Sequence, residues 1–340
     1  MRPFAYEPVR VAEAAVQIAA QGRGESPLQN PIQFLAGGTT LIDLMKLDVM
    51  RPSTLVDINA LDQTELGRIE MSPDGLRLGA MVRMTAAAEH PGVNRDFPAI
   101  AMSLKLAASQ QLRNMASLGG NVLQRTRCPY FRDVSYAACN KRNPGSGCAA
   151  LDGFNRAHAV LGASESCIAS YPGDFAQALI AFDATMEIAG VNGKRSIPFA
   201  ALHRRPGDRP DIETTLQSGE MIASFFVPGG PWTRRSLYLK IRDRESYEFA
   251  LASAAVALDL RDGTLREARI ALGGVATVPW RATSAEAALK GKAIDDASAR
   301  QAAAEAAFAG AQAREHNAFK IELGKRTLLR ALAEAAQMKV

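Results

Sequence analysis

The amino-acid sequence predicts an α/β protein with a smaller α+β part at its C-terminal end. Three observations lead to this fold class. Residues 32–58 show a strand pattern, a helix pattern and a second strand pattern, which together predict a βαβ unit. Residues 66–84 predict a β-hairpin that turns at Pro73, Asp74 and Gly75. From residue 236 onward, strand patterns precede Ala-rich helix patterns, an order typical of an α+β domain.

The remaining elements follow from hydrophobic periodicity and turn residues along the chain. The N-terminal part is predicted to contain, in order, a helix at 8–21, a strand at 32–36, a glycine turn at 37–40, a helix from 41 and a strand at 54–58. After the hairpin we expect helices near 85, at 99–108 and at 173–182, and strands at 184–189 and 220–227. The C-terminal part is predicted to contain strands at 236–242, 249–260 and 267–272, then helices at 284–290, 296–310 and 319–337. The Pro- and Gly-rich segment 228–231 predicts a domain boundary.

Composition places the chain among globular proteins and argues against two classes of partner. It has 340 residues, of which 47% are hydrophobic and 22% charged. The net charge of +5 would suit nucleic acid, but only 6% of residues are aromatic and the basic residues are dispersed, so we expect no nucleic-acid binding. The N-terminus lacks an apolar signal region, and no segment approaches the length of an apolar membrane span. The chain's own sequence therefore predicts a cytoplasmic protein without membrane insertion.

Two glycine pairs are candidates for binding a phosphate ligand. Gly37 and Gly38 lie between a predicted strand and a predicted helix, and Gly119 and Gly120 precede the cysteine-bearing segment. Glycine lets the backbone approach a ligand closely, and the free N–H groups at a helix start attract an anion such as a pyrophosphate. Each pair is also compatible with an ordinary tight turn. Two such loops could clamp an elongated phosphate ligand from two sides.

All four cysteines, Cys128, Cys139, Cys148 and Cys167, fall within residues 124–171, a polar segment without a helix or strand period. Ten, eight and eighteen residues separate successive cysteines, so the CxxC pairs typical of zinc sites are missing. Two disulfides or an iron–sulfur cluster fit the even cysteine count equally well. Nearby basic residues suit an anionic cluster, and a reducing cytoplasm disfavours disulfides. The residues alone leave the three alternatives open.

No constellation of catalytic side chains is visible. The four histidines, at positions 90, 158, 203 and 316, are not at metal-ligand spacing from one another or from a carboxylate. The chain has neither a GxSxG nor an HExxH motif, so hydrolase chemistry has no candidate residues. We therefore expect a bound cofactor to supply the chemistry, with no catalytic residue on this chain.

Four motifs together resemble a known family. They are Leu-Ala-Gly-Gly-Thr-Thr-Leu at 35–41, Ser-Leu-Gly-Gly-Asn at 117–121, Lys-Ile-Arg-Asp-Arg-Glu-Ser-Tyr-Glu-Phe-Ala at 240–250, and Leu-Gly-Gly-Val-Ala at 272–276. The combination resembles the FAD-binding medium subunits of the molybdenum hydroxylases, the xanthine dehydrogenase family, over nearly the whole chain. Residues 124–131 and 139–151 are similar to the insertion in the FAD subunit of periplasmic-type aldehyde oxidoreductases, which carries a 4Fe4S cluster. The flavoprotein subunit of 4-hydroxybenzoyl-CoA reductase has a similar insertion.

The resemblance implies a set of cofactor-binding residues. For FAD these are Leu35, Ala36, Gly37, Gly38, Thr39, Thr40 and Leu41 at the pyrophosphate, Ser117, Gly120 and Asn121 as a second wall, and Asp174 and Lys240 near the flavin or its ribityl chain. Glu248 stands where the family usually has an aspartate. For the 4Fe4S cluster the implied ligands are Cys128, Cys139, Cys148 and Cys167.

The resemblance also implies domains and a fold. Residues 1–229 are expected to form a PCMH-type FAD-binding domain of the vanillyl-alcohol-oxidase fold, with subdomains at about 1–58 and 59–229 and the cluster-bearing insertion at 124–171. Residues 230–340 are expected to form a small α+β domain like the C-terminal domain of the CO dehydrogenase flavoprotein.

The function implied is electron transfer in a molybdenum-dependent aldehyde oxidoreductase. A large subunit with the molybdenum cofactor would oxidise the aldehyde, a small 2Fe2S subunit would pass electrons to FAD on this chain, and an external acceptor would take them from there. Export, where it occurs, would carry the heterotrimer to the periplasm on a partner's signal. The alternatives are another xanthine-family hydroxylase or a hydroxybenzoyl-CoA-reductase-like enzyme and, from a different class, a flavin-free interaction protein with disulfides.

Overall fold

The N-terminal part of the chain is a small parallel sheet. The structure, a computed structural model, describes residues 1–24 and 26–340. Three strands pair in the order β1-β3-β2, all parallel. The elements of this part are β1 Ala5–Pro8, α1 Ala12–Ala19, β2 Ile32–Leu35, α2 Leu41–Lys46 and β3 Thr54–Asp57. The predicted βαβ unit is confirmed.

The first strand is a correction to the sequence analysis, which began a helix at residue 8. Strand β1 occupies residues 5–8, and the helix begins only at Ala12. All four side chains of β1 are exposed, so no hydrophobic alternation marks the strand in the sequence. It is defined by backbone pairing with β3, where Tyr6 lies opposite Leu55.

The central strand β3 packs on both of its faces. Val56 faces a cluster that includes Ala15 and Val16 of α1. Leu55 points the other way, into a cluster with Leu44 of α2 and Phe131 of the cysteine-bearing segment. Successive strand residues point to opposite faces, so one strand ties both layers to the sheet.

The second part is a five-stranded antiparallel sheet with the order β4-β5-β8-β6-β7. Its strands are β4 Ile69–Ser72, β5 Gly75–Gly79, β6 Thr185–Gly190, β7 Gly193–Pro198 and β8 Met221–Pro228. The accompanying helices are α3 Met84–Glu89, α4 Pro91–Asp96, α5 Pro98–Lys105, α6 Gln110–Met115, α7 Leu118–Val122, α8 Pro129–Arg132 and α9 Phe175–Ala181. The predicted hairpin is confirmed by the β4–β5 pairing, in which Ser72 lies opposite Gly75.

The C-terminal part is an antiparallel sheet covered by helices, as predicted. Its elements are β9 Ser236–Ile241, β10 Ala252–Arg261, β11 Thr264–Gly273, β12 Trp280–Arg281, α10 Thr283–Leu289, α11 Ala297–Phe308 and α12 Phe319–Ala336. The strand order is β12-β11-β10-β9. Val256 and Leu258 of β10 share a buried cluster with Leu328 and Leu332 of α12. Burial of this apolar helix face holds α12 on the sheet.

Residues 124–171 have little regular structure, as their lack of period predicts. The short helix α8 is the one helix or strand that they contain. Two isolated antiparallel bridges, Cys139 with Cys148 and Ser164 with Cys167, add local pairing. Among residues 1–24 and 26–340, no helix combines the length and apolarity needed to cross a lipid bilayer.

Candidate cofactor site

The two glycine turns meet at one cavity of about 420 Å³. The turn between β2 and α2 contributes Ala36, Gly37, Gly38, Thr39, Thr40 and Leu41 to its wall, and the start of α7 contributes Ser117, Gly119 and Gly120. Leu35 and Asn121 lie next to these segments, in β2 and α7, and do not appear among the described lining residues. The structure thus brings together the two loops that the sequence analysis grouped.

The first turn requires glycine at two positions for different reasons. Gly38 has φ of +70°, in the left-handed region that residues with a Cβ rarely adopt. A Cβ on Gly37 would lie 2.0 Å from the backbone oxygen of Met115 at the end of α6. The absence of side chains therefore lets this turn both reverse direction and pack closely on the second glycine-bearing segment.

The turn leaves backbone donors at the start of α2. In the described part of the chain, the N–H groups of Gly38, Thr39 and Thr40 donate no backbone hydrogen bond. At the second turn, Ser117 Oγ accepts a hydrogen bond of 3.2 Å from the N–H of Gly120 and so caps α7. Unpaired N–H groups at a helix start are a favourable environment for phosphate oxygens.

Asn121 presents an unsatisfied polar atom beside the cavity. Its Nδ2 donates to the sulfur of Met84 at 3.3 Å, while its Oδ1 is buried and has no hydrogen-bond partner among the described residues. A buried oxygen without a partner costs free energy, and a bound ligand with a hydrogen-bond donor would satisfy it.

Asp174 and Lys240 are paired with each other inside the protein. Asp174 Oδ2 lies 2.8 Å from Lys240 Nζ, and the hydroxyl of Tyr238 donates to Asp174 Oδ1 at 2.6 Å. Lys240 Nζ also donates to the carbonyl of Leu106 at 3.1 Å. Complete burial raises the pKa of the Asp174 carboxyl, and the ammonium of Lys240 opposes that rise. Neither residue is among the described lining residues of the cavity, so their contact with a flavin stays a prediction. Glu248 lies 3.5 Å from Arg244 on the surface.

The four cysteines line one small pocket. All four are free thiols, so the structure contains neither of the disulfides that the sequence left open. Within residues 1–24 and 26–340, no three His, Cys, Asp or Glu side chains are arranged to hold a metal ion. The thiols surround a shared space instead of converging on one point.

Burial favours the protonated form of three of these thiols, those of Cys128, Cys139 and Cys167, when nothing is bound to them. It raises the pKa of Cys128 to about 12, and it also raises the pKa values of Cys139 and Cys167. Lys141 opposes the rise at Cys167 through its positive charge. Thiolates would form here only with a cationic partner that replaces the protons.

Side-chain hydrogen bonds to the backbone hold the loop around the pocket. Arg142 Nη1 donates to the carbonyls of Tyr130 and Phe131 at 2.8 and 2.7 Å. Asn140 accepts from the N–H of Gly147 at 2.8 Å and donates to the carbonyl of Ser166 at 3.1 Å. These contacts replace the helix or strand pairing that the segment lacks.

A group of buried charges stands where the cavity and the cysteine pocket adjoin. Lys141, Cys167 and Ala169 line both spaces. Glu213 lies 2.9 Å from Lys141 Nζ and 2.5 Å from Arg125 Nη2. Burial alone would raise the pKa of Glu213, but the two cations lower it overall. Two positive charges and one negative charge give this wall a net positive charge.

Sequence reasoning missed several residues that the structure places at these sites. His158 was treated as an ordinary histidine, yet its Nε2 lies 3.1 Å from Cys128 Sγ. Glu213 was given no role and no predicted element. An isolated residue in an irregular loop carries no periodic signal, so neither could have been found. Tyr238 could have been, since it lies two residues before Lys240 on a strand and so shares its face.

Comparison with known proteins agrees with this architecture. Residues 2–230 match the family model described as FAD binding domain in molybdopterin dehydrogenase, and residues 237–335 match CO dehydrogenase flavoprotein C-terminal domain. The aldehyde oxidoreductase FAD-binding subunit PaoB of Escherichia coli is 46% identical over 98% of this chain and 99% of its own length.

Solved structures of the same architecture are also similar. A carbon monoxide dehydrogenase chain from Hydrogenophaga pseudoflava is 27% identical, with a TM-score of 0.73 over 98% of this chain and 97% of that one. A chain of quinoline 2-oxidoreductase from Pseudomonas putida 86 is 25% identical, with a TM-score of 0.73 over 99% and 98%. The chain therefore belongs to the FAD-binding medium subunits of the molybdenum hydroxylases, a family of oxidoreductase subunits.

Proposed function

We propose that this chain is the FAD- and 4Fe4S-containing electron-transfer subunit of a molybdenum-dependent aldehyde oxidoreductase. One observation carries the proposal: a glycine-lined cavity and a pocket of four free cysteines share a wall made of Lys141, Cys167 and Ala169. Two redox groups held side by side suit a protein that passes electrons. The 46% identity to an aldehyde oxidoreductase subunit supports the class of substrate.

The cavity fits FAD. Gly38 and Thr39 offer free N–H groups for a pyrophosphate, and the start of α7 forms the facing wall. Next to the cavity wall, the unsatisfied Oδ1 of Asn121 offers an acceptor. These features are independent of one another, and each could contact a bound dinucleotide.

The cysteine pocket fits a 4Fe4S cluster. Cuboidal clusters take four cysteine thiolates, which is the number of free thiols around the pocket. The nearby Lys141 and Arg125 would offset the negative charge of such a centre. The iron core would supply the positive charge that the high thiol pKa values demand.

Bound FAD would supply the redox chemistry, since it takes up electrons singly or in pairs. The chain's own residues bind and enclose it. Titratable groups in the cavity wall are already engaged: His203 Nε2 lies 2.9 Å from the carbonyl of Val122, and Glu213 is paired with Lys141 and Arg125. The hydroxyl of Tyr171 donates to the carbonyl of Val122, and Glu220 is paired with Arg195. A stand-alone flavin oxidase would need a free acid or base, so this favours a relay without a catalytic residue on this chain.

The proposal includes two partners and a route of export. A 2Fe2S subunit would deliver electrons, and a subunit with the molybdenum cofactor would oxidise the aldehyde. Any export would occur as a preassembled complex carried by a partner's signal. FAD binding, supported by the family match, argues against the flavin-free alternative.

Anaerobic reduction of the flavin tests the proposal. We expect a panel of aldehydes to bleach the flavin of the chain purified with its partner subunits, and to leave the flavin of the isolated chain oxidised. Bleaching of the isolated chain would show a stand-alone oxidase. Bleaching of the complex by purines but not by aldehydes would assign it to another hydroxylase of the family.

A further inference from the structure

One histidine contacts the cysteine pocket through its ring. His158 Nε2 lies 3.1 Å from Cys128 Sγ, and the residue is only 2% exposed. No other histidine in the described part of the chain has a sulfur partner: His203 contacts a carbonyl, His90 caps α4, and the ring of His316 packs on Phe154. The contact is already formed in the structure, with His158 buried and Cys128 half-buried.

The C-terminal domain fixes the position of His158. Lys320 Nζ in α12 donates to the carbonyls of Ala157 and His158, both at 3.0 Å. Asn317, just before α12, donates to the carbonyl of Ala159 at 3.2 Å. Lys320 and Asn317 are completely buried. Because these hydrogen bonds hold three successive backbone carbonyls, the ring of His158 has little freedom to move away from Cys128 Sγ.

The chemistry of a bound thiolate fixes the direction of the hydrogen bond. The sulfur of a cysteine bound to iron has no proton and can only accept. The proton must then be on Nε2, since a bare Nε2 would place a lone pair against the sulfur. Nδ1 is left as the unprotonated nitrogen, and it has no hydrogen-bond partner among the described residues. Because Nδ1 lacks a partner in either tautomer, no competing hydrogen bond among the described residues draws the proton away from Nε2.

We propose that His158 is a positioning residue for the iron–sulfur cluster: its Nε2–H donates to Cys128 Sγ and raises the reduction potential of the cluster. The inference rests on the proposed 4Fe4S function of this chain. Reduction adds negative charge that spreads onto the ligand sulfurs, so a donor at the sulfur stabilises the reduced form more than the oxidised form. Through Lys320 and Asn317, the C-terminal domain then influences the potential of a centre that it does not ligate.

Variants at this position test the hydrogen bond in the full chain, purified anaerobically with the subunits that accompany it. His158→Leu removes the donor, and His158→Gln keeps an N–H group. His316→Gln is the control, because His316 belongs to the same region, donates its backbone N–H to Asn155 and stacks on Phe154. Readouts are iron content, the midpoint potential of the cluster by redox titration, and the iron–thiolate stretching bands by resonance Raman.

We expect His158→Leu to keep its iron. The equilibrium constant for reduction of its cluster should fall about tenfold, which lowers the midpoint potential by ~59 mV for one electron. One group of iron–thiolate bands should shift, and His316→Gln should match the wild type. An unchanged potential and spectrum in iron-replete His158→Leu would overturn this inference and leave the cluster standing. A wild-type chain without iron would overturn both the role of His158 and the proposed 4Fe4S cluster. If His158→Leu loses its iron, His158→Gln decides: retained iron supports the hydrogen bond, and equal loss of iron contradicts it.

Discussion

The glycine-lined cavity and the cysteine pocket adjoin each other but are built by opposite means. The cavity is shaped by backbone, with Gly37 and Gly38 between regular elements and Ser117 at a helix start. The cysteine pocket is shaped by side chains, in a segment where α8 is the one regular element and Arg142 and Asn140 hold the backbone. One site is a consequence of the fold, while the other is added to it.

This difference predicts different responses to change. Adding a side chain should disrupt the glycine-lined cavity, whereas removing a thiol should disrupt the cysteine pocket. The two sites should also fail separately, since their shared wall consists of Lys141, Cys167 and Ala169 and includes none of the glycines.

The largest expected effect is the loss of iron on replacing any one cysteine. Each of Cys128→Ser, Cys139→Ser, Cys148→Ser and Cys167→Ser leaves three thiolates, with no cysteine elsewhere in the chain to replace the fourth. We expect most of the iron to be lost and the FAD to be retained, as measured by metal and flavin analysis. Ser135→Ala, at an exposed position of the same segment, is the matched control. Four cysteine variants with full iron would refute the cluster.

Gly38→Val should have the opposite effect, on the flavin and not on the iron. A Cβ at Gly38 would lie 3.0 Å from Ile42 Cγ1, and its φ of +70° disfavours any β-branched side chain. We expect the FAD to be lost and the iron to remain. Gly263→Val is the matched control, because Gly263 has φ of +74° with no atom near its Cβ position. It carries the same backbone strain away from the cavity. Normal flavin content in Gly38→Val would show that the turn does not hold the cofactor.

The next effect concerns the buried pair between the two domains. Asp174→Asn leaves the ammonium of Lys240 buried without its counter-charge, and breaking such a pair costs about 3–5 kcal/mol. Urea unfolding should show this loss, and the double variant Asp174→Asn/Lys240→Met should recover part of it. If the single variant is as stable as the wild type, the pair does not carry a charge in the folded protein. Flavin content in the same samples tests the predicted contact with the cofactor.

The smallest effect is a pH dependence at Lys320. Burial lowers the pKa of Lys320 from 10.5 to about 7, so the unfolded chain binds more protons between these values. Stability from this residue should therefore rise as the pH increases from about 7 towards 10. We expect the wild type to gain free energy of unfolding relative to Lys320→Met over that range. A constant difference would mean that the ammonium stays charged against the carbonyls of Ala157, His158 and Gly274, to which its Nζ donates.

Sequence reasoning predicted the backbone-built site better than the side-chain contacts. Both glycine turns were located because glycine marks the turn itself, and the C-terminal strands and helices were found from their periods. Strand β7 was missed because none of its six residues is buried, and β1 was missed for a similar reason. The pairing of Asp174 with Lys240 was also missed, although both residues had been singled out. Contacts between residues 66 positions apart depend on the packing of the two domains, which no local pattern records.

The ratio of iron to flavin in the anaerobically purified wild-type chain tests the central claim most directly. A cavity for FAD beside a cage of four thiolates predicts four iron atoms and one FAD for each chain. Acid should release all the flavin, because neither glycine turn contains a histidine or cysteine. The two such residues in the cavity wall are otherwise engaged, His203 with the carbonyl of Val122 and Cys167 as a proposed cluster ligand. A chain with one FAD, no iron and paired disulfides by mass spectrometry would contradict the claim.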